Sequence, residues 1–224
     1  MSSARAILSA LQPAASRRAS DTLNNLGNIA ELAGEFEQAR QHHWEALALR
    51  REVRDYRGVA VSLVNLGDVA SRSGEFGLAE AFYDESFALR REIGEHGKMA
   101  SSLSRLGDAA LVGGHAAKAD SYYREALRLS IEIHALPRII QTLLGIARVL
   151  ALAGRESEAL KILAVIVRHP AAQSWYRDQA DSVVAEISAT LPGTIVVAAQ
   201  ARGAAMDLVE LAEEVLKSDV VALA

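Results

Sequence analysis

The chain has 224 residues, a formal net charge of −4 and 50% hydrophobic residues. The mild acidity speaks against a protein built around a clustered basic surface for nucleic acid, and the apolar content speaks against general disorder. The absence of cysteine removes disulfides, thiolate nucleophiles and cysteine-held zinc, and fits a reducing, cytoplasmic setting.

Residues 1–19 are rich in Ala and Ser and carry Arg5, Arg17 and Arg18 ahead of the first acidic residue, Asp21. They read as a leading helix or a frayed segment in preference to a targeting peptide. From residue 20 the sequence repeats with a period of forty. Gly34, Gly74, Gly114 and Gly154 fall in register, as do Ala39, Ala79, Ala119 and Ala159. Leu23, Leu63, Leu103 and Leu143 form a third class, and Leu26, Leu66, Leu106 and Ile146 a fourth. Four units follow, 20–57, 58–97, 98–136 and 137–168, each too small to bury its apolar face alone.

Each unit reads as a helical hairpin. The first helix of unit one runs near Ser20 to Ala33, with Leu23, Leu26, Ala30 and Ala33 at helical spacing. Gly34 closes it, because glycine enters the left-handed conformation without steric cost. The second helix runs from Phe36 to about Val53, with Phe36, Ala39, His43, Ala46, Leu47 and Leu49 or Arg50 facing inward. Gly27, Gly67 and Gly107 fall in mid-helix, where glycine costs about 0.5–1 kcal/mol; close approach of Ala39, Ala79 and Ala119 is the expected compensation. Ala147 takes that place in the fourth unit.

Residues 169–224 read as C-terminal capping helices. Trp175-Tyr176 opens a helix to about Ala189, Pro192-Gly193 breaks it, and Asp207 with Glu210 makes a capping box for a last helix over 208–217. The apolar end, Val220 to Leu223, is suited to capping the stack or pairing with a second copy. No apolar run approaches the ~20 residues that span a bilayer.

Signs of chemistry are few. His42 and His43 are adjacent and diverge on a helix, and the other histidines lie one to a segment, so a metal pair is not expected. There is no G-x-S-x-G elbow, phosphate loop or H-E-x-x-H. Glu45, Glu85 and Glu125 recur at the repeat period, as a solvated face does. The reading is a non-enzyme without cofactor or metal. Arg50, Arg51, Arg90 and Arg91 recur late in the second helices. They read as helix-end charge matching, with Arg51–Asp55 and Arg91–Glu95 pairs at i, i+4; a phosphate-facing stripe that would serve nucleic acid is the less favoured reading.

Leu26-Gly27, Leu66-Gly67 and Leu106-Gly107, followed by Gly-Glu-Phe and Ala39 or Ala79, resemble the signature of the tetratricopeptide repeat. Tyr83 and Tyr123 fall at its second-helix aromatic position, while His43 and Ser86 depart from the pattern. The usual unit has 34 residues, and the six extra are best placed in a longer second helix. The resemblance implies an all-α fold, a right-handed α-solenoid of stacked antiparallel helix hairpins. The longer unit is similar to arrays in bacterial signal-transduction ATPases and LuxR-type transcriptional regulators, which implies a sensor, docking or regulatory module.

In such an array the first helices line a concave groove, where a protein or peptide binds. By register the groove residues here are Asn24, Asn28 and Glu31; Val61, Asn65, Asp68 and Arg72; Ser101, Arg105 and Asp108; and Arg148. Asn28, Asn65 and Arg105 also match positions of a carboxylate clamp found in some members, with Asn24 and Ser101 where lysines are expected.

Overall fold

The structure, a computed structural model, describes residues 2–218, with side-chain detail from Pro13 onward. The apolar end at Val220 to Leu223, expected to cap or to pair, lies outside the described residues. Every regular element among the described residues is an α helix. The chain divides into two compact units, one ending at Glu95 and the other beginning at His96.

The first unit holds α1 (Ser2–Ala33), α2 (Phe36–Glu52), α3 (Tyr56–Arg72) and α4 (Phe76–Glu92). The second holds α5 (His96–Val112), α6 (Ala116–Glu132), α7 (Leu136–Leu152), α8 (Glu156–Arg168), α9 (Ser174–Ser188), α10 (Gly193–Ala204) and α11 (Leu208–Lys217). The leading segment does not break from the first hairpin: α1 is one helix of 32 residues. In the second and third hairpins both helices have 17 residues, so the extra length of the repeat is not concentrated in the second helix.

The turns follow the glycine register. Gly34 has φ +80° and Gly114 φ +82°, and each helix ends there in the left-handed conformation. A second set of left-handed residues closes the second helices, at Arg54, Gly94 and His134. Only one of those three is glycine, so the sequence does not advertise this turn.

Packing within the first unit places α2 between α1 and α3. Leu47 joins Val59, Leu63, Leu66 and Phe82 in one buried cluster, and Ala39 joins Ala30 and Val69 in another. The inward face of α2 is Ala39, His43, Ala46, Leu47 and Arg50, with Phe36 half-buried beside it. In the second unit one continuous core runs from Tyr123 and Leu127 through Ile139, Leu143 and Ile146 to Leu163, Val183 and Leu211. The capping half of the Asp207 motif is present: its carboxylate accepts from the amides of Val209 and Glu210 at the start of α11.

The mid-helix glycines have a different cause from the one expected. The partner is the aromatic ring sixteen residues later, not the alanine. A methyl at Gly27 would lie 2.5 Å from His43 Cε1, and one at Gly107 2.5 Å from Tyr123 Cε1. At Gly67 it would overlap the ring of Tyr83. Tyr123 is bounded on a second side by Gly145 of α7. In the fourth hairpin the equivalent residue is Leu163, and Ala147 replaces the glycine. The methyl is admitted where the ring is absent.

Candidate functional site

The expected binding residues lie on the first helices of the hairpins, and packing consumes some of them. In the first unit, Asn24 of α1 and Asn65 of α3 meet: Asn65 Nδ2 donates to Asn24 Oδ1 at 2.8 Å. The same oxygen accepts from Arg50 Nη1 at 3.3 Å. Arg50 is only 5% exposed and reaches further, donating to Ser62 Oγ at 2.8 Å, the Gly58 carbonyl at 3.2 Å and Asp21 Oδ1 at 3.0 Å. One guanidinium from α2 thus ties α1 to α3, and Asn24 and Asn65 belong to that junction.

Glu31 and Arg72 form a pair at 2.9 Å, and the Arg72 guanidinium also lies 5.5 Å over the Phe36 ring. Asp68 accepts a 2.7 Å hydrogen bond from Tyr83. Asn28 and Val61 are exposed. On the first unit, then, Asn28 and Val61 present open side chains, while Glu31 and Arg72 are paired with each other and Asp68 accepts from Tyr83.

In the second unit Ser101, Arg105 and Asp108 lie on α5 and Arg148 on α7. Tyr123 donates to Asp108 Oδ1 at 2.6 Å. Desolvation pushes the Asp108 carboxyl above the usual carboxylate range, opposed by the Tyr123 hydrogen bond and by the charges of Arg148 and Arg105. Asp108 as a residue is nonetheless exposed to solvent. Burial and then the nearby Asp108 charge raise the Tyr123 phenol far above its ordinary value. Arg148 is hydrogen-bonded to Gln179 of α9.

The contribution of α9 is what the sequence reading missed. Tyr176 of α9 senses Asp108, Arg138 and Arg105; burial and the Asp108 charge raise its phenol, and the two arginines oppose this. Between α5, α7 and α9 lies a cleft of about 340 Å³, lined by Leu111, Arg148, Leu152, Gln179, Val183 and Glu186 among others. Leu152 is 67% exposed beside it. The signal for this wall was the Trp175-Tyr176 opening of a helix that follows the last repeat, which reads as a cap because it lacks the repeat's glycine and alanine landmarks.

The arginine stripe does not form. Arg50 and Arg90 are each 5% exposed. Arg51 pairs with Glu85 at 2.7 Å instead of with Asp55, and Glu95 pairs with Arg57 at 3.2 Å. Hairpin stacking brings these distant partners closer than their i, i+4 neighbours. Among the described residues no group of three His, Asp or Glu side chains is placed to hold a metal ion, and no helix is long and apolar enough to cross a membrane.

The comparisons with known proteins agree with this architecture. The tetratricopeptide repeat family model matches residues 18–92 and again 64–130, together just over half of the chain. No curated protein matches the sequence. Among solved structures, BtubC (BKLC) from P. vanneervenii is similar with a TM-score of 0.63 and 16% identity, over 91% of this chain and 89% of that one. The nearly identical TPR-like repeats of a protein assigned as a kinesin light chain of Podosopora anserina are similar with a TM-score of 0.56 and 18% identity, over 87% of this chain and 92% of that one. With stacked hairpins, glycine-closed first helices and a family match over most of the repeats, the chain belongs to the tetratricopeptide repeat family.

Proposed function

We propose that the chain is a non-catalytic interaction module that binds a protein or peptide on its first-helix faces, in a cytoplasmic setting. The observation that carries this reading is the cleft of the second unit. Its wall combines Arg148 with apolar Leu111, Leu152 and Val183, and Arg105 lies near enough to act together with Arg148 on Asp108. Such a mixture suits a peptide: the arginines meet a carboxylate or backbone carbonyl in a partly desolvated place, and the apolar wall holds a side chain. On the first unit, Asn28 and Val61 offer shallower contacts of the same kind. A regulatory role in signalling or transcription rests on the resemblance of the forty-residue unit alone.

The test is affinity capture with mass spectrometry, comparing the wild type with Arg105→Ala/Arg148→Ala. Neither side chain sits in the apolar core, so the double variant keeps its circular dichroism spectrum. Partners captured by the wild type should be lost or strongly reduced. Unchanged capture of every partner by the folded variant would overturn the assignment of the cleft.

A further inference from the structure

The second unit shows what the second-helix side of two successive hairpins can receive. There α11 lies against α6, α7 and α8. Its Glu214 pairs with Lys161 of α8, and its last carbonyls, Val215 and Ser218, accept from Arg124 of α6. Its N-cap, Asp207, is within reach of the charge of His169 at the end of α8. The helix therefore runs opposite to α6 and α8 along the groove between them, with Leu208, Leu211, Ala212 and Val215 buried. Two repeat periods earlier the first unit builds the same groove from α2, α3 and α4, and within that unit no further helix lies on it.

Trp44 stands there in the place of Arg124, and Ala81 in that of Lys161. Trp44 is 43% exposed, edge-on to Phe82 with ring centroids 5.7 Å apart, and Leu78 is 39% exposed. At the other end Tyr56, Val59, Ala88 and Leu89 line a hollow of about 430 Å³. From Leu78 to Leu89 helix α4 advances about 16 Å, close to the length of the ten-residue α11. The rim carries both signs: Arg51 pairs with Glu85, and Arg54 and Glu92 stand beside the hollow. Where the second unit meets α11 with two cations, the first unit offers an indole ring and a methyl group.

We propose that the groove between α2 and α4 binds an amphipathic helix of another protein, in the orientation of α11 and with a stripe of uncharged side chains toward Trp44 and Ala81. The occupant differs from α11 where the two grooves differ. A carboxylate in the place of Glu214 would be desolvated beside Ala81 with no cation to meet it, whereas an apolar side chain there adds to the contact with the indole ring. This surface belongs to the second helices, so it stands or falls separately from the first-helix cleft.

The probe is a labelled synthetic peptide of residues 206–218 carrying Glu214→Leu, titrated into the full chain and followed by fluorescence anisotropy. Binding should be saturable. In a Trp175→Phe chain, which leaves Trp44 as the one tryptophan, it should shift the emission to the blue. Ala81→Glu should abolish binding. Ala81→Lys restores the charge that α8 presents at Lys161 and should reverse the preference, so that the peptide with its natural Glu214 becomes the tighter ligand. Ala81 is exposed, so both variants keep the helical spectrum. The absence of saturable binding overturns the proposal. Binding indifferent to residue 81 also overturns it, since the peptide would then be displacing α11 from its own groove. A chain that sediments as a dimer and is dissociated by the peptide overturns it as well, and assigns the groove to α11 of a second copy.

Discussion

Gly107 and Tyr123 are fitted to each other: a methyl on the glycine would lie 2.5 Å from the ring. The ring has no easy escape, because Gly145 bounds it on another side and its hydroxyl is held by Asp108 at 2.6 Å. Gly107→Ala should therefore destabilise the protein by roughly 1–3 kcal/mol through overpacking, despite the gain of about 0.5–1 kcal/mol that alanine brings to a helix interior. The fourth hairpin supplies the rescue, since Ala147 coexists there with Leu163. Gly107→Ala with Tyr123→Leu should cost less than the sum of the two single changes. Urea unfolding of the four proteins measures the coupling, and strict additivity would refute the pairing.

Arg50 is a structural fork. The two terminal nitrogens of its guanidinium donate to Asp21, Asn24, Ser62 and the Gly58 carbonyl. Lysine keeps the charge but not the planar geometry that reaches several acceptors at once. Arg50→Lys should cost roughly 2–3 kcal/mol, because buried acceptors lose their partner. The effect should appear as faster amide exchange in α1 and α3. A variant as stable as the wild type would mean that Arg50 contributes no more than an ordinary surface arginine.

The repeat itself was legible because stacking needs small residues at fixed places, and a forty-residue period displays them. Gly34 and its equivalents could be assigned a backbone conformation from sequence, as the φ values bear out. What Gly27 and Gly107 make room for was not legible. Their spacing to alanine and to the aromatic ring is equally periodic, and only the side-chain direction separates the two. Arg50 and Arg90 misled for a related reason: arginine near a helix end is usually solvated, and burial is revealed only when its several acceptors come together in space. The wall that α9 supplies through Gln179 and Val183 escaped because periodicity carries no information beyond the last repeat.

The docking of α11 rests on a buried ion pair. Arg124 of α6 donates to Asp120 at 2.7 Å and to the Val215 carbonyl at 2.6 Å, and reaches the Ser218 carbonyl at 3.1 Å. A cation thus meets the last carbonyls of a helix, where the macrodipole favours it. Both members are nearly inaccessible, Asp120 at 0% and Arg124 at 3%. Arg124→Met leaves a buried carboxylate without its cation and should cost about 3–5 kcal/mol. Loss should be concentrated in residues 208–217, read by hydrogen exchange or limited proteolysis. If those amides keep their protection, buried Leu208, Leu211 and Val215 with the Lys161–Glu214 pair hold the helix, and the Arg124–Asp120 pair is dispensable.

His43 is where the first hairpin departs from its successors, and this has a pH consequence. Tyr83 donates to Asp68, and Tyr123 to Asp108, each across fifteen residues. The same spacing here joins His43 to Asn28, and no such bond forms. His43 is fully buried, and neither ring nitrogen has a hydrogen-bond partner among the described residues. Desolvation lowers its pKa, opposed by the charge of Glu31 and reinforced by those of Arg50 and His42. The folded chain therefore takes up this proton at lower pH than the unfolded chain, whose histidine titrates at about 6.5. Stability is complete above that value and falls as pH drops through it, until the depressed folded value is reached. His43→Tyr with Asn28→Asp rebuilds the pair seen in the next two hairpins. It should add about 1 kcal/mol near neutral pH and flatten the acid slope. Denaturant unfolding at a series of pH values compares the two proteins directly, and an identical acid slope in both would show that the buried imidazole is not the group being titrated.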